Sequence, residues 1–299
     1  MAMPVVNASM MLNSTKKVTR PSVTDGARES EKRVYNRPMK TLLWLLVAIA
    51  FLIGAFFAFN SYIYNEKQGD KTDTAMSQTP IEIIPIEHAT GIIRWGETYI
   101  YMDPVGGSQA FAGKPAANIV LVTDVHGDHL NPDTLSAVLG AATLIVPQAV
   151  KDELPAELAA RATVLANDQT IVEQGFSITG TPMYNHPEAE NSNFHAKGRG
   201  NGYIIEKDGF RVYIAGDTAG TAEMKALQNI DIAFVPMNLP YTMDVEEAAE
   251  AVLAFKPTVV YPYHYRGPSG LSDVARFKQL VNEKNPAIEV VLADWYPKQ

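Results

Sequence analysis

The stretch Asn118-Ile-Val-Leu-Val-Thr-Asp-Val-His-Gly-Asp-His129 joins an apolar run to a group of potential metal ligands. The apolar run, residues 118–123, is typical of a buried β-strand. Asn131 and Pro132 follow as the expected N-cap and first residue of a helix. The strand-to-helix loop between them carries four ligand types: Asp124, His126, Asp128 and His129. Because carboxylates and imidazoles are costly to bury without partners, the loop predicts a metal site.

The composition limits the possible partners and ligands. The chain has 299 residues, 46% hydrophobic and 19% charged, which is typical of one or two folded domains. It has no cysteine, so neither disulfides nor thiolate ligands are available. Residues 70–299 contain 16 basic and 29 acidic residues, a net charge near −13. Since this charge repels a phosphate backbone, nucleic acid is not expected as a partner.

The N-terminal part differs from the rest. Residues 1–40 are polar without apolar periodicity, which predicts a disordered tail. Thr41–Phe59 is a run of 19 uncharged residues, long enough for a transmembrane helix across a bilayer core of about 30 Å. A cleaved signal peptide and a buried core helix are the alternatives, but the run is long for a signal peptide and no convincing cleavage site follows it. Residues 60–79 are a predicted tether, and residues 80–299 a predicted folded domain.

The basic residues on either side of the apolar run predict its orientation. Residues 1–40 contain eight Lys and Arg, whereas residues 60–75 contain two. The positive-inside rule therefore predicts a single-pass membrane protein with a cytoplasmic N-terminus. Its folded domain is expected outside the cytoplasm, in the periplasm if the cell is Gram-negative. The sequence leaves the oligomeric state open.

The folded domain alternates strands and helices in both halves. Strands are predicted at 81–85, 91–95, 98–102, 118–123, 143–147, 171–175, 177–183, 202–207, 210–215, 232–236, 258–263 and 288–292. Helices are predicted at 132–139, 148–161, 221–227, 245–255 and 272–282. This order favours an α/β fold of four layers, αββα, with helices outside a pair of sheets.

Polar residues follow three further predicted strands. Asn185 and His186 come after the strand that ends at Met183, Asp217 comes after residues 212–216, and His264 comes after residues 259–263. Strand ends converge at one edge of a sheet, so these side chains can surround one ion although they are distant in sequence. Their shared context supports the metal-site prediction more strongly than any single motif.

The chain resembles the metallo-β-lactamase superfamily, whose hallmark is His-x-His-x-Asp-His after a strand. The match covers residues of roughly 81 to 295. The segments 216–218, 237–243 and 261–265 resemble the branch of ascorbate-phosphate lactonases and N-acyl phosphatidylethanolamine phospholipase D. The resemblance implies the αββα fold, preceded here by the predicted transmembrane helix, and one or two zinc ions, with manganese or iron as alternatives. Residues 80–299 would then form a hydrolase domain.

The resemblance also implies a role for each ligand. His126 would bind the first metal, Asp128 and His129 the second, and His264 would complete the second. Asp217 would bridge both, and Asp128 and Asp217 would serve in catalysis. Asp124 departs from the family pattern, which usually has histidine there, and makes the first position more anionic. The third histidine of the pattern corresponds to His186 or His195, or its role falls to Asn185.

Residues near the predicted site provide candidate substrate contacts. Asn185, Arg199, Tyr241 and Arg266 are expected to contact the substrate, and Lys197 could help to hold an anionic group. The glycine-rich segment 198–202 precedes a strand hairpin rather than a helix, which argues against a nucleotide loop and favours a mobile loop at the site mouth. His88 is expected to be structural or to hold a metal ligand in place, rather than to contact the substrate.

The predicted chemistry is hydrolysis by a metal-activated water. Bound metals lower the pKa of water to near 7, so that hydroxide can attack a carbonyl or phosphorus centre. The first hypothesis is a membrane-anchored metal-dependent hydrolase of an ester, lactone or amide. The second is a phosphodiesterase of the phospholipase D type that acts on a phospholipid. A third, from another class, is a non-catalytic metal-binding envelope module.

Overall fold

The computed structural model describes residues 81–297, whose fold is based on two large β-sheets. The first sheet contains, in spatial order, β1 (Ile81–Glu87), β2 (Thr90–Trp95), β3 (Thr98–Met102), β4 (Ile119–Leu121), β5 (Thr143–Val146) and β6 (Ala162–Val164). The second contains β7 (Thr170–Glu173), β8 (Phe176–Met183), β9 (Gly200–Lys207), β10 (Phe210–Ile214), β11 (Ile232–Pro236), β12 (Val259–Tyr263) and β15 (Glu289–Val290). Between β12 and β15 in the sequence, β13 (Arg266–Gly267) and β14 (Gly270–Leu271) form a separate small hairpin.

Each sheet changes from antiparallel to parallel pairing. In the first, β1 to β3 pair antiparallel and β3 to β6 parallel. In the second, β7 to β10 pair antiparallel, and β10, β11, β12 and β15 pair parallel. The carboxyl ends of neighbouring parallel strands lie at one sheet edge, where ligand sites of α/β proteins usually form.

Within residues 81–297, six α-helices connect the strands. They are α1 (Pro132–Leu139), α2 (Gln148–Glu153), α3 (Ala156–Ala159), α4 (Ala222–Lys225), α5 (Val245–Phe255) and α6 (Val274–Lys284). The Asn131 side chain accepts a hydrogen bond from Thr134 N at 2.8 Å, which caps α1 directly after the ligand loop. The cap fixes where this loop ends.

The core contacts define four layers. On β2, Ile92 packs outward among residues of α1 and α2, whereas Ile93 lies in the core that includes the second sheet. Across the two sheets, the Trp95 ring lies 5.1 Å from that of Phe176. Beyond the second sheet, Phe255 of α5 lies 6.0 Å from Tyr213. Helices therefore cover the outer faces of two stacked sheets.

The expected mixed α/β fold is confirmed, and several elements have the predicted bounds, including α1, α5 and β11. The helix predicted over 148–161 is instead two short helices, since proline 155 lacks the N–H that a continuous helix needs. The strands β6, β13 and β14 were not predicted. Among residues 81–297, no helix is long and apolar enough to cross a membrane. The predicted tail, transmembrane helix Thr41–Phe59 and tether lie outside the described residues.

Candidate metal centre

The candidate centre combines side chains from the strand ends of both sheets. From the first sheet, Asp103 follows β3 and the ligand loop 124–129 follows β4. From the second, Asp217 follows β10 and His264 follows β12, and His195 comes from the loop between β8 and β9. Three groups of ligand atoms, each within 4.8 Å, lie here: His88, Asp128 and His264; Asp124, His126 and His195; His129, Asp217 and His264.

Backbone turns bring the side chains together. His88, Asp103 and His264 have φ values of 58°, 43° and 47°, in the left-handed region that costs a residue with a Cβ about 1 kcal/mol or more. A backbone hydrogen bond joins two of these turns, in which His264 N donates to His88 O at 3.2 Å. The chain therefore turns sharply where the strands end.

The side chains that the resemblance assigns to the second metal position, His129, Asp217, His264 and Asp128, lie close together. The Nε2 atoms of His129 and His264 are 3.0 Å apart. Asp217 places Oδ2 3.3 Å from His129 Nε2 and Oδ1 3.3 Å from His264 Nε2. Asp128 Oδ2 lies 3.4 Å from His264 Nε2. Ligand atoms around a tetrahedral zinc lie roughly 3.3–3.6 Å apart, so these spacings suit one ion.

A buried carboxylate orients His129. Asp103 Oδ2 lies 2.9 Å from His129 Nδ1, and Asp103 accepts hydrogen bonds of 2.7 Å from both Thr123 N and Thr123 Oγ1. If His129 donates from Nδ1, its Nε2 lone pair faces the other ligands. A carboxylate behind a ligand histidine fixes the tautomer and ring orientation in this way in many metal sites.

The candidate first metal position contains Asp124, His126 and His195. His126 Nδ1 lies 2.8 Å from Asp124 Oδ2, and His195 Nε2 lies 3.8 Å from the same oxygen. His195 Nε2 is also 3.2 Å from Asp217 Oδ2, the oxygen that lies near His129. Asp217 therefore stands between the two positions, as a bridging ligand would.

Unpaired buried atoms test whether a metal suits these residues. Within residues 81–297, both ring nitrogens of His195, Oδ1 of Asp217 and Nδ1 of His264 are buried without a hydrogen-bond partner. Buried polar atoms are almost always paired, because an unpaired one costs about 1–3 kcal/mol. Divalent cations would satisfy two of these atoms, one cation held by His195 Nε2 and another held by Asp217 Oδ1 beside His264. The donor set, imidazole nitrogens and carboxylate oxygens, suits zinc, manganese and iron.

Arg199 is paired with Asp124. Its Nε donates to Asp124 Oδ1 at 3.0 Å and its Nη2 donates to Asp124 Oδ2 at 2.8 Å. The Asp124 side chain is fully buried and that of Arg199 is 23% exposed. Although burial raises it, the pKa of Asp124 is lowered overall by hydrogen bonds from His126 and Arg199. Asp124 is therefore ionised and paired.

His88 supports Asp128 from the outer side. His88 Nε2 lies 3.2 Å from Asp128 Oδ2, and Nδ1 lies 2.7 Å from the hydroxyl of Tyr296. The His88 ring also lies 3.8 Å from that of His264. Burial lowers the pKa of His88, despite the nearby carboxylate. A neutral His88 can hold Asp128 in place through one ring nitrogen.

The charges in the centre stabilise one another. Burial opposes ionisation of Asp217, but His264 and His129 hold its pKa well below the ordinary value. Burial also disfavours a charged His129, yet Asp217 and Asp103 raise its pKa well above the ordinary value. The carboxylates thus attract positive charge, which imidazolium or a metal cation can provide.

A cavity of about 360 Å³ opens onto the centre. Its lining consists of His126, Asp128, Phe194, His195, Asp217, Asn238 and Tyr241. The rings of Phe194 and Tyr241 meet edge to face, 5.0 Å apart, at its rim. A substrate in this cavity would reach the ligands of both positions and contact an aromatic wall.

Some of the predicted site residues lie in the candidate centre, and others lie outside it. It places His195 in the centre, whereas His186 Nε2 lies 3.4 Å from Glu247 Oε1, outside the three ligand groups. Asn185 is buried and donates to Tyr241 O at 2.7 Å, so it braces the loop rather than facing the cavity. Arg266 pairs with Glu87 at 2.9 Å and lies over the Tyr296 ring.

Among the predicted substrate contacts, Tyr241 lines the cavity, but Arg199 and Arg266 are engaged in ion pairs. Lys197 pairs with Glu223, outside the cavity lining. Sequence reasoning missed Asp103, Phe194 and Tyr296. Asp103 directly follows a predicted strand, the same signal that identified Asp217, whereas the sequence offers no comparable signal for the two aromatic residues.

Comparisons with known proteins identify the family and the fold. Residues 82–264 match the family model described as "Beta-lactamase superfamily domain". The UPF0173 metal-dependent hydrolase of Thermococcus onnurineus is 32% identical over 202 residues, 64% of this chain and 89% of that protein. The crystal structure of a putative metal-dependent hydrolase from Parabacteroides distasonis has a TM-score of 0.64 and 34% identity, covering 72% of this chain and 94% of its own. Igni18, a metallo hydrolase from Ignicoccus hospitalis, shares the fold, with a TM-score of 0.59 and 24% identity over 71% of this chain and 94% of its own.

Proposed function

Because this chain belongs to the metallo-β-lactamase superfamily and is a metal-dependent hydrolase of that fold, we propose that it is a membrane-anchored, zinc-dependent hydrolase of esters, lactones or amides. One observation carries the zinc centre: histidines and carboxylates from both sheets converge with ligand-like spacings, while buried atoms of His195 and Asp217 lack partners among residues 81–297. The relatives' names give the reaction class but no substrate.

The side chains divide the work of hydrolysis. When bound, the metal supplies a water of lowered pKa and stabilises negative charge that develops on the substrate. Asp217 contributes one carboxylate to both positions and fixes their relative placement. Asp128 faces the cavity and its side chain is 43% exposed, so it can accept a proton from the attacking water and pass it to the leaving group. His88 keeps Asp128 aimed at the cavity.

The cavity supports a substrate with a carbonyl or similar group and a hydrophobic substituent. Phe194 and Tyr241 form its aromatic wall. The cationic side chains nearby, Arg199 and Lys197, are already paired with Asp124 and Glu223. The wall therefore favours a neutral, partly apolar ester, lactone or amide over a highly charged small molecule.

A phospholipid phosphodiesterase is the second candidate. An apolar pocket of about 530 Å³ lies at segment 239–240, next to the cavity residues Asn238 and Tyr241. It includes Leu239 and Leu271, which are 51% and 57% exposed. Acyl chains of a lipid could occupy this pocket. Cleavage of detergent-dispersed phospholipid, with no turnover of soluble esters, would favour this candidate.

The membrane anchor is part of the proposal. We propose that Thr41–Phe59 spans the bilayer, that residues 1–40 form a cytoplasmic tail and that residues 60–79 tether the hydrolase domain, residues 80–299, outside the cytoplasm. A C-terminal reporter that is active only outside the cytoplasm should be active in membrane fractions. An inactive reporter, on a fusion protein that is present in the membrane fraction, would refute this orientation.

The decisive experiment combines metal analysis with activity. The full chain, purified in detergent, is expected to contain one or two metal ions and to hydrolyse members of a panel of lactones, esters, amides and phosphodiesters. The matched control is Asp217→Ala, which removes the carboxylate shared by both positions. Less than one metal per chain, with no activity restored by zinc or manganese, would exclude the proposed centre.

A further inference from the structure

Asp124 and Arg199 form a buried pair at the point where the family pattern usually has a histidine. We infer that this pair replaces that neutral ligand as a unit: Asp124 supplies the metal-binding oxygen, and Arg199 is a positioning residue that neutralises and orients it. The inference rests on the proposed metal centre. It assigns Arg199 to the first metal position rather than to the substrate.

Charge is the first argument. A histidine ligand is neutral, whereas aspartate adds one negative charge to a site that already contains Asp128 and Asp217. The guanidinium of Arg199 cancels this charge at 2.8 and 3.0 Å. Because the Asp124 side chain is fully buried, its charge would be costly without such a partner. The pair therefore has the net charge of the histidine that it replaces.

Orientation is the second argument. The guanidinium contacts both carboxylate oxygens, a fork that fixes the plane of the group as a single ammonium cannot. Arg199 is itself held by the carbonyl oxygen of Phe194, to which Nη2 donates. The clamped carboxylate places Oδ2 2.8 Å from His126 Nδ1 and 3.8 Å from His195 Nε2. Arg199 thus aims an oxygen at the other two ligands.

The position of Arg199 indicates that it supports a metal rather than taking its place. Its contact with His126 is to Nε2, at 3.5 Å, and not to the Nδ1 atom that faces Asp124. Among residues 81–297, His195 Nε2 has no hydrogen-bond partner, so the guanidinium does not satisfy the atom that a metal would bind. The guanidinium therefore pairs with Asp124 and leaves His126 Nδ1 and His195 Nε2 to a metal.

Zinc binding by a set of full-length variants in detergent tests the inference. Zinc per chain and the dissociation constants for both positions are measured by elemental analysis and competition with a chromophoric chelator. Arg199→Gln removes both the positive charge and the two-point contact with the Asp124 carboxylate, whereas Arg199→Lys keeps only the charge. Lys197→Gln is the matched control, since it removes a neighbouring cation that pairs with Glu223 instead. Asp124→His is combined with Arg199→Gln to restore a neutral ligand without the pair.

The wild type is expected to bind two zinc ions. Arg199→Gln should weaken the first position about 10- to 100-fold, the usual effect of losing a partner behind a ligand, and change the second less than about threefold. The first-position affinity of Arg199→Lys should lie between those of the wild type and Arg199→Gln, and that of Lys197→Gln should match the wild type. Asp124→His alone should also bind weakly, because it leaves Arg199 unpaired. The double variant should recover most of the affinity.

Several outcomes would overturn the inference. They are equal or tighter first-site binding by Arg199→Gln, no recovery in the double variant, and a wild type with a single zinc ion, which would leave the proposed hydrolase intact. A wild type that binds no metal would refute both proposals. Arg199→Gln alone could fail to fold, as judged by circular dichroism. The comparison of Asp124→His with the double variant then still tests the inference, because the double variant recovers zinc affinity only if Asp124 and Arg199 act as a pair.

Discussion

Replacing Asp103 by asparagine should weaken the second metal position without touching a ligand. In the wild type, an ionised Asp103 accepts from His129 Nδ1, so a neutral His129 keeps its lone pair on Nε2. If asparagine keeps its oxygen on Thr123 N, at the place of the 2.7 Å bond, its NH₂ group faces His129 Nδ1. His129 must then accept at Nδ1 and carry its proton on Nε2, the tautomer that cannot bind a metal through Nε2.

The expected loss is about 10- to 100-fold in affinity, or about 1.4–2.7 kcal/mol at 1.36 kcal/mol per tenfold change. Two controls isolate the tautomer. Thr123→Val removes the 2.7 Å bond from Oγ1 to Asp103 and the 3.0 Å contact of Oγ1 with His129 Nδ1, but leaves the Asp103–His129 contact. It should therefore cost about 1 kcal/mol of stability while metal affinity changes less than about threefold. Asp152→Asn changes an exposed carboxylate of α2 and should have no effect.

Chelator competition measures the affinity, and NMR of the ring nitrogens of His129 reports the tautomer directly. Unchanged affinity of Asp103→Asn, with Nδ1 still protonated, would refute the reasoning. An equal loss in Thr123→Val would attribute the effect to loosened packing rather than to the tautomer.

Three further predictions concern other parts of the domain. His195→Ala should lower the metal content by about one ion per chain, whereas His186→Ala should leave it unchanged by elemental analysis, since only the former lies in a ligand group. Gly216→Ala should lower the free energy of unfolding by at least about 2 kcal/mol in a denaturant titration, because φ is 65° and a Cβ would lie 2.4 Å from a methionine sulfur. Lys197 lowers the pKa of Glu223 to about 2 from an ordinary value of 4.5, so this pair contributes a small stability above pH 4.5 that is lost as the pH falls toward 2. The difference in unfolding free energy between wild type and Lys197→Gln should therefore shrink over that range, and a constant difference would contradict it.

Local signals made much of the fold predictable. The N-cap Asn131 with Pro132 located α1, and the predicted strands 202–207 and 210–215 located the β9–β10 hairpin. The short strand β6 was missed because three residues carry little periodicity, and its pairing with β5 depends on tertiary contacts. Element types follow from nearby residues, but edge strands follow from the assembled sheet.

The site was predictable where ligands follow strands directly and less so where a loop carries them. Strand ends identified Asp217 and His264, and the same signal at Asp103 was overlooked. The choice between His186 and His195 depends on the path of the loop, which Asn185 N fixes by donating to His195 O at 2.9 Å. The pairing of Arg199 with Asp124 joins residues 75 positions apart, and no local pattern encodes it.

Because the ligands come from both sheets, the geometry of the centre depends on the distance between the sheets. The aromatic contact of Trp95 with Phe176 helps to set that spacing far from the strand ends that carry the ligands. A packing change there would shift Asp128 and His129 relative to Asp217 and His264, and coordination tolerates displacements of only a few tenths of an ångström. The hydrophobic core thus acts as a tuning element for metal affinity, and variants with improved or weakened binding should arise at positions that never approach the ion.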